Sequence, residues 1–156
     1  MKTTLASILA ISALMFGTAH AEGLTVSVGA QQARTDIGAP RHDTQAAVGV
    51  GYDFGKVGPV NVEGQLNYVD LGRIGAGVQS GATDLSAVVS YPLDKNVSVF
   101  GRVGAANIRT GGASDMTNVL GVGLSYSFNK NWSAAVEAKR YGPRVHTYGA
   151  TVKYSF

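Results

Sequence analysis

Apolar and polar residues alternate along most of the chain. In YGATVKYSF (148–156), Tyr148, Ala150, Val152, Tyr154 and Phe156 fall on one face, and Gly149, Thr151, Lys153 and Ser155 on the other. A period of two is that of a strand with one apolar side. Turn signals at regular intervals cut the chain into eight such segments. They are predicted at 23–33, 44–54, 59–70, 82–93, 96–109, 116–128, 131–142 and 145–156. No segment sustains a helical period. The links GKVG, DKN and NKN are short; RTDIGAPRHD, LGRIGAGVQSG and TGGASD are long. They alternate, with the tight GP link at 142–143 on the long side. This predicts an all-β, eight-stranded antiparallel up-and-down barrel with turns at one rim and loops at the other.

Alternation alone does not say which face points inward. A soluble barrel would bury its apolar face. Three features predict the reverse, a transmembrane barrel. One is a row of aromatic pairs: Tyr52/Phe54, Tyr91/Leu93 and Tyr126/Phe128 precede the three short turns, and Tyr154/Phe156 repeat the pattern at the last residues. Each pair shares the apolar face, so the residues form one girdle at one rim, where a membrane interface favours rings. The second is the opposite face, which is small and polar, as a narrow interior requires. The third is an export signal. MKTTLASILAISALMFGTAHA carries Lys2, an apolar run from Leu5 to Phe16, and an A-x-A site at Ala19-His20-Ala21. Residues 1–21 read as a secretory signal peptide, the alternative being a short anchor helix, and 22–156 as one barrel domain.

Composition narrows the chemistry. There is no cysteine among the 156 residues, hence no disulfide and no thiolate. Removing Lys2 lowers the formal charge from +3 to 3 − 1 = +2. The remaining charges are scattered, so nucleic acid is excluded as a partner. No metal-ligand spacing, phosphate loop or dinucleotide fingerprint is present, and no cofactor is expected.

The residues resemble the eight-stranded transmembrane domain of the OmpA-like outer-membrane proteins. NYVDLGR (67–73) is similar to that family's third-strand ending, and GVGLSYSFNKNWSAAVEAKRYG (121–142) to its sixth strand, turn and seventh strand. Tyr154 and Phe156 resemble the terminal aromatic signal read by the outer-membrane assembly machinery. The resemblance implies an integral protein of the bacterial outer membrane, a monomer. Many members continue into a periplasmic peptidoglycan-binding domain, whereas this sequence ends with the barrel. No role in wall anchoring is therefore carried over, and the short loops weaken a carry-over of adhesin roles.

Glu63, Gln65, Arg102, Glu137, Lys139 and Lys153 fall on the inferred lumen faces. A charge in a narrow barrel must be paired or hydrated, because an isolated buried ion is costly. By resemblance, Arg102 and Glu137 match the family's lumen network best. Gln65 stands where an acid is common, and Glu63 is expected to substitute for it. The network is expected to plug the barrel; the alternative is a gate or narrow pore.

Charge type is sorted along the barrel. Lys56, Lys95 and Lys130 lie in the short turns, and Arg34, Arg41, Arg73, Arg109, Arg140 and Arg144 at the loop rim. Asp36, Asp43, Asp70, Asp84 and Asp115 are placed there too, so the rim excess is 6 − 5 = +1. Arginine grips phosphate through a planar fork. Arg73, Arg109, Arg140 and Arg144 are therefore candidates to hold lipopolysaccharide, against the plainer reading of ion pairing with the aspartates. Some small outer-membrane barrels are lipid A-modifying enzymes. The deacylase type needs a His and a Ser two residues apart on the lipid face, but Thr44 follows His42 and Tyr148 follows His146. The palmitoyltransferase type has a helix before its barrel, and here a strand starts directly after Glu22. The expectation is a non-enzymatic barrel serving membrane integrity and lipid interaction, ahead of a narrow porin or a surface adhesin or resistance factor.

Overall fold

The computed structural model describes residues 23–35, 44–74, 78–110, 113–143 and 145–156. Residues 1–22, with the expected signal peptide, lie outside the described residues. The chain forms β1 (Leu24–Thr35), β2 (Thr44–Val57), β3 (Val60–Ile74), β4 (Val78–Pro92), β5 (Val97–Thr110), β6 (Ala113–Ser127), β7 (Trp132–Tyr141) and β8 (Val145–Ser155). Each strand is antiparallel to the next, and β8 pairs with β1 to close the barrel. Closure leaves no strand edge to meet lipid, where an unpaired backbone group would be costly.

The register fixes the stagger. Leu24 faces Tyr52, so Gly23 faces Asp53, whose N–H donates to the Gly23 carbonyl at 2.6 Å. The paired row then runs Asp53, Glu63, Val88, Arg102, Gly121, Lys139, Thr147 and back to Ala33 on β1. It returns 33 − 23 = 10 residues above its start. Strands staggered in this way tilt by roughly 40–45°. The row therefore climbs from the turn rim at β2 to the loop rim at β8.

Two expected long loops are mostly strand. LGRIGAGVQSG is paired up to Ile74 and again from Val78, with a register shift between Asp70 and Gly72. TGGASD is cut to two residues between Thr110 and Ala113. Beyond the membrane a strand has no apolar side to display, so backbone pairing continues where alternation stops. At the tight link from β7 to β8, Gly142 takes a φ of 60° and donates to the Asn118 carbonyl at 2.9 Å. A left-handed residue there favours glycine.

The apolar face is outside. Leu66, Leu85, Val103, Val122, Leu124 and Val136 are exposed on the outer wall. At the turn rim Tyr52, Phe54, Tyr91, Leu93, Tyr126 and Phe128 join Trp132, Tyr154 and Phe156. Neighbouring rings meet edge to face, as in Trp132–Tyr154 at 5.0 Å and Tyr154–Phe156 at 4.9 Å. Tyr68 and Tyr148 stand outward nearer the loop rim. From Leu120 to Phe128 is 128 − 120 = 8 residues, about 27 Å along the strand and about 20 Å along the tilted axis. That is the height of the lipid-facing belt.

Candidate functional site

The lumen centres on Arg102, which β5 points inward. Its Nε donates to Glu137 Oε1 on β7 at 2.6 Å, and one terminal nitrogen donates to Gln65 Oε1 on β3 at 2.8 Å. The other terminal nitrogen stands 3.9 Å from Asp84 Oδ1 on β4. Asp84 is fully buried. It accepts from Asn67 Nδ2 at 2.8 Å, Ser86 Oγ at 2.7 Å and the Tyr141 hydroxyl at 3.3 Å. Lys139 Nζ lies 3.9 Å from Glu137 Oε2 and 5.8 Å from the centre of the Tyr141 ring.

A second cluster lies closer to the turns. Lys153 Nζ donates to Glu63 Oε2 at 2.7 Å, and Thr25 Oγ1 donates to Glu63 Oε1 at 2.5 Å. Glu63 therefore does not stand in for Gln65 beside Arg102; Gln65 makes that contact with its own amide oxygen. The ion pairs among the described residues set Glu63, Asp84 and Glu137 against Arg102, Lys139 and Lys153, so this network is neutral at 3 − 3 = 0. Each of these ions loses several kcal/mol of hydration inside the wall, and pairing offsets the loss.

Glycine makes the room. A Cβ on Gly121 would stand 2.5 Å from Glu137 Oε1, and one on Gly51 would stand 2.5 Å from Thr25 Oγ1 and 2.6 Å from Glu63 Oε1. A lumen cavity of about 90 Å³ remains, lined by serines and by Arg102, Lys139 and Lys153 among others.

Asp84 is a correction to the sequence reading, which places it at the loop rim. The ladder starts four residues before the expected Ala82, so Asp84 lies inside the wall, on the same face as Ser86. That shared parity is the signal that would have found it. Asn67, Thr25 and Tyr141 are further partners that charge counting passes over.

The lumen is also not uniformly small and polar. On the loop side of Arg102, every strand contributes one residue to a buried layer: Gln31, Gln45, Val69, Ala82, Ala106, Val119, Tyr141 and Thr147, none more than 7% exposed. From β3 to β7 the layer is apolar, and Ile108 packs against both halves of that arc. On β1, β2 and β8 it is polar. Gln31 Nε2 and Thr147 Oγ1 are buried there with no protein partner.

At the loop rim Arg109 and Arg140 are exposed and make no ion pair among the described residues. Arg73 holds a strand position opposite Gln79. Arg144, Arg41, His42, Asp36 and Asp43 lie outside the described residues. His146 is half-buried on β8, cross-strand from Arg140. Tyr154 and Phe156 sit in the turn-rim belt, where the Phe156 N–H donates to the Leu24 carbonyl at 3.0 Å across the closing seam.

This architecture recurs among solved structures. Ail, the attachment invasion locus protein of Yersinia pestis, superposes with a TM-score of 0.60 at 15% identity, over 86% of this chain and 97% of its own. The N-terminal barrel of Pseudomonas aeruginosa OprF gives 0.61 at 19% identity, over 85% and 97%. The outer membrane enzyme PagL gives 0.52 at 17% identity, over 83% and 99%. At these identities the likeness is one of fold. No curated protein sequence matches the chain. The model of the outer membrane protein beta-barrel domain matches residues 3–156. With its apolar wall turned to lipid, the chain belongs to that outer-membrane β-barrel family and is an integral protein of the outer membrane.

Proposed function

We propose that the protein is a closed structural barrel that supports membrane integrity and holds lipid at its outer rim. The observation that carries the reading is the buried layer, with one residue from each strand, above a charge-neutral lumen network. Eight strands leave room for side chains only, and the buried residues of the layer, apolar from β3 to β7 and polar on β1, β2 and β8, fill that room. The cavity of about 90 Å³ lies among the charged residues and does not by itself make a path. The lipid part rests on the rim arginines. Arg109 and Arg140 are exposed without a carboxylate partner among the described residues, and Arg73 and Arg144 are assigned to the same rim from the sequence. Catalysis has no place in this reading, since Tyr148 stands where a deacylase serine would follow His146.

Planar-bilayer recording tests the closure. The purified barrel is expected to give no unitary current steps. Val69→Gly with Val119→Gly, which hollows the layer, is expected to admit current. Steps from the unaltered protein would replace the structural reading with that of a narrow pore.

A further inference from the structure

The outer wall is not uniform around the barrel. Across β7, β8, β1 and β2 one cross-strand row reads Val136, Ala150, Ala30 and Ala46. The wall is hollowed there. A groove of about 550 Å³, lined by Ala30, Ala138, Tyr148 and Ala150 among others, meets one of about 400 Å³ that includes Val28, Leu124 and Val152. Val136 and Ala150 line both, so the two form one track. At its loop end Arg140 pairs in register with His146, and Arg34 holds the next position on β1. The outward positions of β7, β8 and β1 carry no Asp or Glu.

We propose that this sector is a binding site for one phosphorylated glycolipid of the outer leaflet, a lipopolysaccharide molecule. An acyl chain lies in the track and a phosphate sits on Arg140 beside His146. The proposal rests on the reading that the rim holds lipid, and it confines that role to one sector. A hollow facing hydrocarbon is filled by the nearest chain, because an empty one forfeits its dispersion contacts. Tyr148 marks the interface on β8, and His146 and Arg140 lie on its loop side, at headgroup level. The guanidinium fork suits a phosphate, and among the described residues no outward-facing carboxylate of the sector competes for it.

The test refolds the barrel into phosphatidylcholine vesicles doped with either purified lipopolysaccharide or phosphatidylglycerol. Native mass spectrometry then reads the lipid retained per barrel. The unaltered protein is expected to keep lipopolysaccharide in preference to both phospholipids. Arg140→Gln with His146→Gln is expected to lower retention by roughly tenfold, the scale of one charge-assisted phosphate contact. Ala30→Leu with Ala150→Leu fills the track, leaves the charges in place, and is expected to lower it as well. Arg109→Gln, at the rim but outside the sector, is expected to lower retention less than the Arg140 and His146 pair does, and Lys95→Gln in the turn between β4 and β5, at the opposite rim, is expected to have no effect. Heat-modifiable gel mobility checks folding, and the exposed charge variant carries the test if the groove variant misfolds. Equal retention of phosphatidylglycerol overturns the glycolipid assignment. Equal loss with Arg109→Gln overturns the localisation but leaves the rim reading standing. Unchanged retention in every variant overturns both.

Discussion

Arg102 ties three strands together, through Glu137, Gln65 and Asp84. Removing one member of such a set strands the rest in a poorly hydrated wall. Arg102→Met and Glu137→Gln are each expected to cost about 3–5 kcal/mol, and the double change less than their sum. Urea unfolding of the barrel in lipid vesicles measures all three. Additive losses would show that the 2.6 Å contact contributes no coupling. At this scale the sequence shows which side chains share a lumen but not which of them meet. Glu63 and Gln65 share one face of β3, yet one reaches Lys153 and the other Arg102. The choice depends on the stagger of ten residues, which brings β3 opposite different strands at each height, and no residue encodes that number locally. Asp84 is hidden for a related reason, because alternation is plain only from Leu85 onward.

The strands themselves were legible, since lipid on one side and packed side chains on the other impose a period of two wherever the chain crosses the membrane. Their loop-side ends were not. There β3 to β6 continue as ribbons in water, paired through the backbone, without a binary pattern to announce them. The buried layer was hidden too, because Val69 and Val119 read as ordinary strand residues until eight strands bring them to one level. The lumen glycines show how each strand fits its interior. Gly51→Ala would drive a methyl against Thr25 and Glu63, whereas a Cβ on the lipid-facing Gly101 meets nothing within 4 Å. Gly51→Ala is expected to cost roughly 1–3 kcal/mol, and Gly101→Ala to stay within about 0.5 kcal/mol of the parent. Denaturant midpoints of the two variants, taken side by side, check the contrast. Equal midpoints would mean that the lumen yields more easily than its packing implies.

For the whole molecule the governing dimension is the belt, about 20 Å from Leu120 to the Phe128 ring, against about 25 Å for the usual outer-membrane barrel. Refolding is therefore expected to be faster, and the folded barrel more stable, in dilauroyl than in dioleoyl phosphatidylcholine vesicles. Indifference to chain length would show that the belt is taller than its side chains suggest. The bilayer must meet a short belt by thinning around it, at a cost of fractions of a kcal/mol per Å of mismatch. Each copy then carries an annulus of compressed lipid as it diffuses. Two annuli that merge disturb less membrane than two apart, so copies of the barrel are drawn together through the elasticity of the sheet they float in.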